Sequence, residues 1–196
     1  MNLSTANRDV VIIGGGIAGI GTAYYLACMG VRSTVIEKDS IASHASGFAY
    51  GGLSGGVPNG PQPNTPIIEY SMGLYPSLAQ ALKEETDIDT QYQDRPLLRL
   101  ALSDEEASTL RGNLEWQKAQ PGYSVEWIDG DVARKLEPRI SPDTVGALHV
   151  EGTQDIEPYR LTLALAQAAE RRGVTIRTGE VTAVHRQGGA VVGVSI

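Results

Sequence analysis

The chain has 196 residues, of which 41% are hydrophobic and 20% charged, an ordinary globular composition with enough apolar material for a core. Sixteen Lys and Arg against 23 Asp and Glu give a formal net charge of −7. That balance, with no Lys/Arg run, speaks against a nucleic-acid partner, because such binding rests on clustered basic residues.

The first nine residues, MNLSTANRD, are polar and show no signal-peptide pattern. Asp9 to Ile13 is a short β-branched run and reads as a strand buried on both faces. Gly14-Gly15-Gly16 is a turn. From Ile17 to Met29 every face is small or apolar, which reads as a buried helix stopped by Gly30. The glycines in this run argue against a membrane helix, so no integral membrane segment is expected. Thr34 to Ile36, ending at Glu37, is the next strand. Residues 9 to 37 therefore form one βαβ unit.

Residues 38 to 63 lack a regular period, and Gly47 to Gly60 holds six glycines, too many for a helix or a strand interior. Residues 67 to 85 look helical, with a break or restart expected at Pro76. Pro96 to Leu102 is a strand candidate. Ser103 to Glu106 is a capping box that opens a helix carrying Ala107, Leu110 and Leu114, ended by Pro121-Gly122. Short strands are expected at 125–128 and 145–150, with a short helix over 131–136 between them. Pro158 starts a strong helix with Leu161, Leu165 and Ala168 on one face and Gly173 at its end. Val174 to Ile176 is a strand, and residues 181–186 and 190–196 read as a hairpin around Gly188-Gly189.

The chemistry lies in Gly14-x-Gly16-x-x-Gly19, placed between a strand and a helix. Gly14 permits the tight turn, Gly16 lets a pyrophosphate approach the backbone, and Gly19 lets the helix pack closely on the strand. The helix N-terminus offers free N–H groups and partial positive charge to the phosphates. Glu37, 21 residues after Gly16, suits the two hydroxyls of an adenosine ribose and would repel a 2′-phosphate. The plain alternative is a glycine-rich turn with an unrelated surface Glu. NAD and FAD both use this turn.

The stretch Ser43-His44-Ala45-Ser46-Gly47-Phe48-Ala49-Tyr50-Gly51-Gly52-Leu53 resembles the second cofactor-binding segment of the D-amino-acid oxidase family of flavoproteins, which includes glycine and sarcosine oxidases. Further likeness lies in Trp127-Ile128-Asp129, in Leu136-Glu137-Pro138, and in Asp155-x-x-Pro158 followed by Leu161 to Gly173 and Val174 to Ile176. The resemblance covers the whole chain and implies FAD as cofactor. It implies Ser46 as a phosphate contact, Gly51, Gly52 and Leu53 along the isoalloxazine, and the backbone of Val181 against the adenine. The implied fold is α/β: a Rossmann-like FAD-binding domain, parallel sheet plus β-hairpin, in residues 1–63 and 151–196. An α+β substrate-domain segment, residues 64–150, interrupts it.

The implied activity is oxidation of the C–N bond of a small amine or amino acid by hydride transfer to flavin. A dehydrogenase of glycerol 3-phosphate or a 2-hydroxy acid would share the cofactor segment, and so would an FAD-binding subunit that is not catalytic. The segment would also suit a tRNA-modifying flavoprotein, but the basic patch that role needs is missing. No catalytic residue is assigned. His44, His149 and His185 lack metal-ligand spacing; His44 lies in the cofactor loop. The single cysteine, Cys28, allows no internal disulfide, in keeping with a cytoplasmic location, and reads as a small buried hydrophobe. Only three parallel strands are countable, and the apolar pattern runs to Ile196. The expectation is of the front part of a longer protein, inactive when expressed as this fragment.

Overall fold

A computed structural model describes residues 10–53, 60 and 63–196 of the chain. Asp9, the expected start of the first strand, and residues 54–59, 61 and 62 of the glycine-rich loop lie outside the described residues. The chain divides into two compact units: residues 1–50, 77–91 and 157–196 in one, residues 51–76 and 92–156 in the other.

In the first unit β1 (Val10–Ile13), α1 (Ile17–Cys28) and β2 (Ser33–Glu37) follow the expected βαβ order. The long helix α2 (Thr65–Thr86) begins in the second unit and ends in the first. It runs through Pro76 without a break. After the second unit come α6 (Pro158–Arg171), β8 (Thr175–Thr178) and the hairpin β9 (Ala183–Gln187) and β10 (Ala190–Ser195). The strands form a parallel sheet in the order β1-β2-β8, with Val35 beside Ile12 on one side and Ile176 on the other. β2 is thus the central strand, and Ser33 to Ile36 are all buried. Helices α1 and α6 pack on each other. The core holds Ile20, Ala23 and Tyr24 from α1 and Ala164, Leu165, Ala168 and Ala169 from α6. Arg172 ties three helices together: it ion-pairs with Glu85 and lies over the Tyr24 ring at 5.1 Å.

Two expectations about this unit need correction. β1 is not buried on both faces: Val11 and Ile13, two residues apart and so on the same face, are 41% and 58% exposed, and little among the described residues covers that face. Nor is α1 buried all round, since Ile17, Tyr25 and Met29 are exposed and only one stripe faces α6 and the sheet. Cys28 falls on the exposed side. An apolar run without a polar face cannot show which of its sides is covered.

In the second unit β4 (Leu97–Ala101), β5 (Ser124–Asp129) and β6 (Gly146–Glu151) form an antiparallel sheet in the order β4-β6-β5. The expected helix from Ser103 is split at Asn113 into α3 (Asp104–Gly112) and α4 (Leu114–Lys118). Ser103 caps α3 by accepting the Glu106 N–H, while the Glu106 carboxylate accepts the N–H of Leu102, one residue before the usual capping-box partner. Val125, Leu148 and Val150 meet Leu110, Leu114 and Trp116 on one face. Ile128 and Ala147 meet Ala133 of α5 (Gly130–Leu136) on the other. A two-strand ladder the sequence did not reveal joins β3 (Gln93–Asp94) to β7 (Gln154–Asp155). Strands of two polar residues carry no period to read.

Candidate cofactor site

The phosphate turn is built from sterics. Gly14 has φ +106°, a backbone region that side chains with a Cβ avoid. A Cβ on Gly19 would run into the carbonyl oxygen of Gly14 and come within 3.2 Å of the Ile12 side chain, so α1 can seat on β1 only without one. A Cβ on Gly16 would lie 3.0 Å from the Ser46 hydroxyl. The middle glycine, which the motif leaves unspecified, is constrained as well. A Cβ on Gly15 would meet Ile41 Cδ1 at 2.6 Å and Glu37 Cβ and Cγ at 3.0 Å. The triple glycine was the sequence signal for it, but the crowding comes from Glu37 and from Ile41, which lies in a loop whose course the sequence did not predict.

The loop after β2 is fastened to this turn. The Ala42 N–H donates to the Gly15 carbonyl at 3.1 Å, and the Ser46 hydroxyl accepts the Ile17 N–H at 3.0 Å. Gly16, the N-cap of α1, has no side chain to cap it, so Ser46 supplies the cap from 29 residues away. Gly47 follows in a position where a Cβ would strike the Ala42 carbonyl.

Glu37 ends β2 with its carboxylate turned to the same turn. Oε2 accepts the Gly15 N–H at 2.6 Å and Oε1 accepts the Asp39 N–H at 2.8 Å. These bonds, Asp39's first and Gly15's second, hold its carboxyl below the usual glutamate range. Glu37 and Gly14 line an open cleft of about 280 Å³, with Ile13, Ile36, His44 and Val181 among its other walls. His44 Nε2 is 2.7 Å from the Asp39 carboxylate. The structure thus brings Gly14, Gly16, Gly19, Glu37, Ser46 and Val181 together at one end of the parallel sheet.

Gly51, Gly52 and Leu53 belong to the second unit. They run in extended register beside β7: the Ile156 N–H donates to Gly51 O at 3.0 Å, Gly52 bridges Asp155, and the Leu53 N–H donates to Gln154 O at 3.0 Å. His149 is 3.2 Å from Glu126 on the sheet of that unit, and His185 is 2.6 Å from Ser195 on the hairpin. Among the described residues no group of His, Cys, Asp and Glu could hold a metal ion, and no helix is long and apolar enough to cross a membrane.

The residues present fit an adenine dinucleotide. A glycine-cleared helix N-terminus and a carboxylate at the end of the second strand are the groups such a ligand needs, and the Ser46 hydroxyl lies beside the helix N-terminus. A family model described as FAD dependent oxidoreductase matches residues 9–196. The chain is 32% identical over 174 residues to a glycine oxidase of Geobacillus kaustophilus, covering 88% of this chain and 46% of that protein. It is 30% identical over 204 residues to one component of the anaerobic glycerol-3-phosphate dehydrogenase of Haemophilus influenzae, covering 99% of this chain and 33% of that protein. The crystal structure of a glycine oxidase from Bacillus cereus superposes with a TM-score of 0.84 at 32% identity, over 96% of this chain and 52% of that one. The chain thus spans about half the length of the glycine oxidases it matches.

Proposed function

The chain belongs to the family of FAD-dependent oxidoreductases, and from that premise we propose that the whole protein oxidises the C–N bond of a small amine or amino acid. The observation that carries this reading is the Gly16–Ser46–Glu37 arrangement, joined to the likeness to glycine oxidases. The chemistry FAD supplies when bound is acceptance of a hydride from the substrate α-carbon, leaving an imine that water hydrolyses.

This chain's own residues bind and orient. Gly14, Gly16 and Gly19 clear the backbone for the pyrophosphate and aim the α1 N-terminus at it. Ser46 accepts the Ile17 N–H, which leaves its hydroxyl proton to donate to a phosphate oxygen. Glu37 uses two of its roughly four lone-pair sites on Gly15 and Asp39, and the rest serve the ribose hydroxyls. The Val181 backbone stands where the adenine would sit in the cleft, and Gly51, Gly52 and Leu53 run along the isoalloxazine. On this reading residues 1–63 and 151–196 serve the cofactor and 64–150 the substrate.

The test is anaerobic spectroscopy of the full-length protein. Bleaching of its flavin by glycine, sarcosine or another small amino acid is expected. The dehydrogenase relative supports a second reading, a hydroxy substrate. Bleaching by glycerol 3-phosphate and by no amine would establish that one instead.

A further inference from the structure

The cleft at the end of the parallel sheet holds a histidine that the glycine motif does not call for. His44 shares its walls with Gly14, Glu37, Lys38, Glu180 and Val181, all in the first unit. Its main chain is fixed: the His44 carbonyl accepts the Gly47 N–H at 2.9 Å, in the loop whose Ser46 caps α1. Its ring is fixed as well. Nε2 lies 2.7 Å from the Asp39 carboxylate, and the Asp39 N–H donates to Glu37 Oε1 at 2.8 Å. One chain of contacts thus runs from the end of β2 through Asp39 to the imidazole.

Asp39 decides which nitrogen carries a proton. A carboxylate only accepts, so Nε2 is the donor, and Nδ1 is left to accept in the neutral ring and to donate in the charged one. The charged groups around the ring are Asp39 from its own loop, Glu37 and Lys38 at and just after the end of β2, and Glu180 after β8. Acidic groups outnumber basic ones there until His44 is protonated. FAD brings an anionic pyrophosphate. A neutral His44 leaves it a cleft of its own sign, and a charged His44 offsets this. Histidine is the side chain whose charge changes between pH 5 and 8. Glu37 keeps its charge across that window, because the N–H groups of Asp39 and Gly15 hold its carboxyl below the usual glutamate range. His149 and His185 lie elsewhere, on the sheet of the second unit and on the hairpin.

We propose that His44 is a cofactor-binding residue outside the glycine motif: positioned by Asp39, it attracts the FAD pyrophosphate when protonated and so makes retention of the flavin depend on pH. The inference rests on the cofactor reading given above. Asp39 is a positioning residue, acting through His44. The two side chains are 69% and 48% exposed, so solvent screens the charge and the effect is that of a surface pair.

The test is a fluorescence titration of full-length apoprotein with FAD at pH 5.5 and pH 8, in wild type, His44→Gln and His44→Lys. Wild type should bind about three- to fivefold more tightly at the lower pH. His44→Gln should keep the wild-type pH 8 affinity at both values, and His44→Lys, with its permanent charge, the wild-type pH 5.5 affinity at both. Added salt should flatten the wild-type slope. A wild-type affinity that does not change with pH overturns the proposal. So does a wild-type slope retained by either variant, which is the result a purely structural ring would give. Wild-type protein that binds FAD at neither pH overturns the cofactor reading, and this inference with it, by a separate readout.

Discussion

The carboxylate of Glu37 accepts the backbone N–H of Gly15 at 2.6 Å, joining the end of β2 to the turn that precedes α1. The same side chain holds Asp39, so one charge organises both the phosphate turn and the start of the following loop. Its carboxyl is held below the ordinary value of about 4.3. A group with a depressed folded-state pKa contributes stability that is present above the unfolded pKa and lost as pH falls through the folded one. Glu37→Gln should therefore cost about 1 kcal/mol at pH 7. The gap to wild type should close as pH drops below about 4. Urea unfolding of the full-length protein at pH 7, 5 and 3 measures it; a gap that widens toward acid contradicts the assigned role.

Ser46 and Ile17 form the second tie. Ser46→Ala leaves the Ile17 N–H at the helix N-terminus without its acceptor and removes the hydroxyl proposed to meet a phosphate. The loss of the cap alone should cost about 1 kcal/mol. Flavin affinity should fall about tenfold, while Ser46→Thr, which keeps the hydroxyl, should retain most of it. Fluorescence titration of apoprotein with FAD reads the difference. Equal affinity in wild type and Ser46→Ala would show that the hydroxyl serves only the fold.

Cys28 offers a direct check on the surface of α1. The side chain is exposed although its neighbours in sequence are apolar. A thiol reagent should label Cys28 in the native protein, at a rate close to that in urea. Protection from labelling until unfolding would mean that this side of α1 is covered in the full-length protein.

What could be read from the sequence was whatever rests on local rules. The order β1-α1-β2 follows from a β-branched run, three glycines and an apolar helix stopped by Gly30. The helix at Pro158 follows from its N1 proline and its Leu161, Leu165, Ala168 stripe. What escaped depends on distant partners. The crowding at position 15 comes from the Glu37 and Ile41 side chains, the cap of α1 comes from Ser46, and β3 exists only because β7 lies beside it. Exposure of Val11, Ile13 and Cys28 escaped for the same reason: hydrophobicity says that a side chain can be buried, and only the fold says whether anything stands over it.

Two glycines of α1, two residues apart, separate fold from function. At Gly19 an added Cβ would collide with the Gly14 backbone, which cannot give way without moving the phosphate turn. At Gly21 an added Cβ would meet nothing within 4 Å. Gly19→Ala should therefore destabilise the protein by about 1–3 kcal/mol, the cost of overpacking. Flavin should be lost along with that stability. Gly21→Ala lies in the helix interior and should instead stabilise by up to about 1 kcal/mol, because alanine loses less backbone entropy on forming the helix. Flavin content should stay at the wild-type level. Thermal unfolding of the two full-length variants, with flavin absorbance recorded on each, decides it. Similar losses at both positions would mean that the helix tolerates no side chain here at all, and that the tight seat of α1 on Gly14 is not the reason for glycine at position 19.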